Sequence, residues 1–163
     1  MRHAIITGGA GFIGSHLVDR LLMEGGWRVT VVDNFDPFYP RAVKEANMAA
    51  HLDHPDYHFI EGDILDDAVL DRAFAENGAV VVHIAARAGV RPSIADPIGY
   101  HRVNVTGTLK LLERARCSDV EHFILASSSS VYGVDPNVPW KEKERGIQPI
   151  SPYAATKLAA EGF

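Results

Sequence analysis

The 163 residues carry 47% hydrophobic and 23% charged side chains, the proportions of a globular chain long enough to bury the core of one domain. With 16 Lys and Arg against 21 Asp and Glu, the net charge of −5 argues against a surface made for nucleic acid or an anionic membrane. The one cysteine, Cys117, excludes an internal disulfide and reads as a small apolar filler near a helix end.

In chain order, Ala4–Thr7 is a short apolar run ending in glycine, the pattern of a buried parallel strand. Phe12, Ile13, Leu17, Val18, Leu21 and Leu22 then recur at helical spacing until Gly25-Gly26 ends the helix. Arg28–Asp33 is a second strand, residues 34–40 a loop with two prolines and three aromatics, and residues 42–51 a helix. Tyr57–Glu61 is a third strand, followed by a helix over residues 65–76 with Val69, Leu70 and Phe74 turned inward. The β-branched Ala79–His83 is a fourth strand. Residues 98–116 form the longest helical pattern, through Val103, Leu109, Leu111 and Leu112, and residues 122–126 a fifth strand. Ser151-Pro152 then opens a last helix, with serine as N-cap and proline in the first turn. Alternation of this kind predicts an α/β fold, a doubly wound parallel sheet of Rossmann type, with residues 1–163 as one domain.

The start of the chain lacks the apolar core of a signal peptide, and no apolar run approaches the roughly 20 residues of a membrane span, so a soluble cytoplasmic protein is expected. Eight histidines scattered over different elements show no Cys/His ligand pattern, and no metal is expected.

Gly8, Gly11 and Gly14 lie between the first strand and first helix, flanking Phe12 and Ile13. Glycines there let the backbone turn tightly and approach a pyrophosphate, whose charge sits on the helix N-terminus. Asp33 closes the second strand, where a carboxylate accepts hydrogen bonds from the adenosine ribose and repels a 2′-phosphate; NAD is therefore favoured over NADP. Tyr153 and Lys157 stand one turn apart on one helix face. An ammonium close to a phenol favours the phenolate, making tyrosine usable for proton transfer, and the lysine can also hold a nicotinamide ribose.

The Gly-x-x-Gly-x-x-Gly spacing resembles the extended branch of the short-chain dehydrogenase/reductase superfamily, and the resemblance runs through the whole chain. It implies cofactor contacts from Asp33 and Asn34, from Asp63 and Ile64 at the adenine, and from Ala85, Ala86 and Arg87 on the nicotinamide side. Asn104 matches the branch's structural asparagine, and Tyr153 and Lys157 its cofactor-facing catalytic pair. Ser128 matches the hydroxyl that hydrogen-bonds the reacting sugar oxygen, with Ser129 beside it at the substrate. Dehydratases and decarboxylases of the branch carry an acid just before Val-Tyr-Gly; here that position is Ser130, which favours epimerisation.

The Asp33–Tyr39, Ala85–Ser93 and Ser151–Lys157 stretches are similar to bacterial UDP-glucuronate 4-epimerases, where Arg87 and Arg91 would meet pyrophosphate or a sugar carboxylate. The implied reaction is a reversible redox cycle through a 4-keto sugar, with Tyr153 taking the C4 hydroxyl proton and NAD regenerated. Family members continue past the last helix into a substrate domain, which this chain is expected to lack, and dimerise through the helices at residues 98–116 and 151–163. Three readings stay open: a working UDP-sugar epimerase completed by self-association into a dimer or larger oligomer, a non-catalytic NAD-binding fragment or module, and an epimerase for UDP-galactose-type sugars.

Overall fold

The computed structural model describes residues 1–76, 79–136, 138–143 and 148–163. The described chain forms two compact units, one of residues 1–85 and 110–126, the other of residues 86–109 and 127–163.

The first unit is a five-stranded parallel sheet: β1 (Arg2–Thr7), β2 (Trp27–Asp33), β3 (Tyr57–Glu61), β4 (Ala79–His83) and β5 (Val120–Leu125), in the order β3-β2-β1-β4-β5. The chain winds outward from the central β1 in both directions, so the switch of direction falls between β1 and β4. This is the doubly wound α/β sheet that the alternating elements predict. β1 is a continuous buried run from His3 to Thr7 because parallel strands are covered on both faces. Ala4, Ile6, Val29 and Val31 pack with Val18 of helix α1 (Phe12–Glu24), each valine or isoleucine contributing about 1.5–3 kcal/mol by leaving water.

Helix α1 ends where Gly25 takes φ +73°. Helix α2 (Arg41–Met48) stops short of His51, whose buried ring instead bonds Asp19 at 2.5 Å. Helix α3 (Asp67–Ala73) is shorter than the periodicity suggests, because the Asp66 carboxylate accepts the Ala68 N–H and fixes the start. Val69, Leu70 and Phe74 are buried as expected. β5 begins earlier than its apolar residues suggest, at Val120, with a register irregularity opposite Ala79/Val80.

The second unit holds α4 (Val90–Ala95), α5 (Pro97–His101) and a six-residue π-helical segment (Arg102–Gly107); α6 (Thr108–Arg116) follows directly in the chain and belongs to the first unit from Lys110 on. The single helix read over residues 98–116 is therefore interrupted by a wider turn, and Ile98 and Leu109 lie exposed. A 3-10 turn (Ser129–Tyr132) and α7 (Pro152–Glu161) complete this unit. Cys117 is not a filler: it is exposed just past the end of α6. Among the described residues, no helix is long and apolar enough to cross a membrane.

Candidate functional site

In the sheet unit, the residues singled out from the sequence gather at the carboxyl ends of neighbouring strands. The turn after β1 is held by the Gly8 N–H donating to Val32 O at 2.8 Å and the Gly11 N–H to Gly8 O at 3.1 Å. Gly8 has φ +76°, and a Cβ there would meet the Ala85 backbone at 2.8 Å. A Cβ on Gly14 would lie 2.3 Å from Gly8 O, so α1 reaches the turn only without one. No side chain caps α1, and Phe12 and Ile13 on its first turn are exposed despite their helical spacing. An uncapped helix start over a turn too tight for side chains suits an anionic group such as a dinucleotide pyrophosphate.

Asp33 ends β2 next to this turn and is 6% exposed. Its Oδ2 accepts the Ala10 N–H at 3.2 Å, and Oδ1 accepts the Phe35 N–H at 2.9 Å and Lys44 Nζ at 3.0 Å. Phe35 reaches this position in the left-handed region, φ +53°, which costs a non-glycine residue on the order of 1–3 kcal/mol. Asn34 Nδ2 donates to Asp63 Oδ2 at 3.0 Å, and Asp63 Oδ1 caps Leu65 N–H at 2.9 Å, with Ile64 buried between. After β4, the Ala85 N–H bonds Thr7 O at 2.9 Å, and His83 Nδ1 lies 2.6 Å from Thr7 Oγ1.

Lys44 is the residue of this cluster that sequence reading missed. The available signal was its place one turn before Met48, since both are buried on the same face of α2.

In the second unit, Asn104 organises the backbone. Its side chain accepts the Arg87 N–H at 2.8 Å and donates to Arg87 O and to Thr156 Oγ1, each at 3.1 Å. Thr108 Oγ1 donates to Asn104 O at 2.6 Å within the widened helical turn. The Arg87 guanidinium pairs with Asp96 and lies 5.0 Å from the Tyr100 ring, while Arg91 is exposed on α4.

Ser151 Oγ accepts the Ala154 N–H at 3.1 Å, capping α7 as its position before Pro152 suggests. The Tyr153 N–H donates to the buried Ser93 Oγ at 3.1 Å, a contact the sequence did not announce. The Tyr153 ring meets Tyr100 edge-on, 6.3 Å between centroids. Lys157, one turn on, is 5% exposed, and burial brings its ammonium down from 10.5 to about 8. Ser128 is half-buried, with Oγ accepting the Ser130 N–H at 3.2 Å, and Ser129 is exposed. The 3-10 turn that follows Ser128 packs against α7. This unit thus carries a hydroxyl, a phenol and a buried amine of lowered proton affinity, groups suited to proton transfer to and from an alcohol. Among the described residues, no group of His, Cys, Asp or Glu could hold a metal ion.

Known proteins resemble this arrangement along nearly the whole chain. A family model described as GDP-mannose 4,6 dehydratase matches residues 5–163. UDP-glucuronate 4-epimerase 3 of Arabidopsis thaliana is 42% identical over 159 residues, covering 96% of this chain and 36% of that protein. The UDP-glucuronic acid 4-epimerase of Bacillus cereus, solved with UDP-glucuronic acid and NAD, superposes with a TM-score of 0.89 at 34% identity, over 98% of this chain and 50% of that one. The UDP-N-acetylglucosamine 4-epimerase of Methanobrevibacter ruminantium gives 0.85 at 35% identity, over 98% and 48%. The chain spans half or less of the length of these relatives.

Proposed function

Since the chain belongs to the GDP-mannose 4,6 dehydratase family, we propose that it binds NAD and inverts C4 of a UDP-sugar, interconverting UDP-glucuronate and UDP-galacturonate. The observation that carries this reading is α7, on which Ser151 fixes the start, Ser93 holds the Tyr153 backbone, and Lys157 is buried one turn along. Residues 1–163 act on this reading as an NAD-binding domain. The fit of the cofactor rests on the sheet unit: a cradle that a Cβ would fill at Gly8 and Gly14, and an uncapped α1.

Asp33 would receive a hydroxyl of the adenosine ribose, Asn34, Asp63 and Ile64 would face the adenine end, and Ala85, Ala86 and Arg87 the nicotinamide end. When bound, NAD supplies reversible hydride storage. Tyr153 takes the proton of the sugar 4-hydroxyl as that carbon is oxidised to a ketone, and returns it when the carbon is reduced from the other face. Lys157, partly charged near pH 8, stabilises the phenolate. Ser128 donates to the reacting oxygen, and Ser129 and the exposed Arg91 address the substrate, the arginine meeting the uronate carboxylate. Asn104 holds the backbone of Arg87 and reaches α7 through Thr156. Ser130, where an elimination would want an acid, favours epimerisation. The working form is proposed as a cytoplasmic homodimer or larger assembly.

A second reading, supported by a glycine cradle and an uncapped α1 that lie within the sheet unit alone, is a module that binds NAD and does not turn over. Conversion of UDP-glucuronate to UDP-galacturonate by the purified chain with NAD decides between them, with Tyr153→Phe as control. Turnover lost in Tyr153→Phe is the expected result. NAD binding without turnover favours the second reading, and no NAD binding overturns both.

A further inference from the structure

We propose that Lys44 helps to set which dinucleotide the sheet unit accepts. It clamps the Asp33 carboxylate while that charge is present, and it becomes an anion-binding group for a ribose 2′-phosphate once the charge is removed. The inference rests on the proposed role of Asp33 at the adenosine ribose.

Lys44 Nζ lies 3.0 Å from Asp33 Oδ1, with side-chain exposures of 9% and 5%. An apolar residue in that place would escape the desolvation penalty of an ammonium, so burial beside Met48 on the same helix face does not account for a lysine there. The other cation of α2, Arg41, is committed elsewhere: it forks onto Glu61 at 2.8 and 2.9 Å, bonds Glu45 at 2.7 Å, and lies 4.1 Å over the Phe35 ring. Lys44 is therefore the cation that loss of the Asp33 charge would release.

The acceptor capacity of Asp33 sharpens the point. A carboxylate offers about four lone-pair positions. Three protein donors use two on Oδ1 and one on Oδ2, leaving Oδ2 room for one ribose hydroxyl. Lys44 thus fixes which oxygen is presented. Asn at position 33 is close in shape, deletes the repelling charge and leaves the ammonium a neutral acceptor in place of its counter-ion, so its charge is available to a phosphate on the adjacent ribose.

The experiment is calorimetric titration of NAD and NADP into wild type, Asp33→Asn, and Asp33→Asn combined with Lys44→Met or with Lys44→Arg. Wild type is expected to prefer NAD. Asp33→Asn should move the NADP:NAD affinity ratio at least tenfold toward NADP. That gain should vanish with Lys44→Met and survive with Lys44→Arg. Adenosine 2′,5′-bisphosphate should compete against Asp33→Asn with a steeper salt dependence than 5′-AMP, a readout that needs no Lys44 variant. An equal gain with and without the Lys44 cation, or a gain insensitive to salt, overturns the inference while leaving NAD binding intact. A wild-type chain that binds neither dinucleotide overturns the underlying reading and this inference together.

Discussion

Lys157 carries the clearest consequence at the level of single residues. Burial opposes its charged form, holding the folded pKa near 8 against 10.5 for an exposed lysine. Between those values the unfolded chain binds more protons than the folded one, so stability rises with pH across that window. Below it both states are protonated and the buried charge is a constant penalty; above it both are neutral and the penalty is gone. Lys157→Met should therefore be more stable than wild type at pH 7, by up to about 3 kcal/mol at 1.36 kcal/mol per pKa unit. Urea melts of both proteins at pH 7 and 10 should show that gap closing; an unchanged gap would refute the assignment. The types and spacing of Tyr153 and Lys157 are local facts, hence legible in the sequence. The partnership of Lys44 with Asp33 is not local, because a helix must first bring the ammonium back to the strand end.

Helix α7 shows what capping decides for a whole element. It has ten residues, a length at which isolated helices are marginal, so its start depends on the Ser151 hydroxyl and Pro152. Ser151→Ala should cost about 1 kcal/mol in chemical denaturation and loosen the Tyr153 end of the helix, with a corresponding fall in turnover. A variant as stable as wild type would show that Ser93 and tertiary packing set the helix start instead. That cap was readable from Ser-Pro alone. The π segment at Arg102–Gly107 was not, since apolar periodicity from 98 to 116 fits an unbroken helix. The widened turn carries the 2% exposed Asn104, whose side chain is bound to Arg87 and Thr156, partners distant in sequence.

For the molecule as a whole, the exposed apolar side chains of the second unit matter most. Ile94, Ile98 and Leu109 are 66%, 74% and 39% exposed. The proposed self-association would cover them. Light scattering should give a mass above the monomer that falls on dilution, and Ile98→Asp should shift the chain to monomer. A concentration-independent monomer mass for wild type would refute it. β5 adds a second open surface: among the described residues it pairs only with β4, and Ile124 is 52% exposed.

By itself the sequence determined the five strands, their parallel pairing, the glycine turn, Asp33 at the end of β2, and the capped helix bearing Tyr153 and Lys157. Each of these is written in periods, caps and turn residues that act over a few positions. Only the tertiary structure decided the ion pair of Asp33 with Lys44, the grip of Asn104 on Arg87, the support of Tyr153 by Ser93, and the exposure of Cys117. The three pairings join residues from different elements, and whether Cys117 meets water depends on what packs against it. Neither follows from periodicity or propensity within one element, because both come from the way the elements pack.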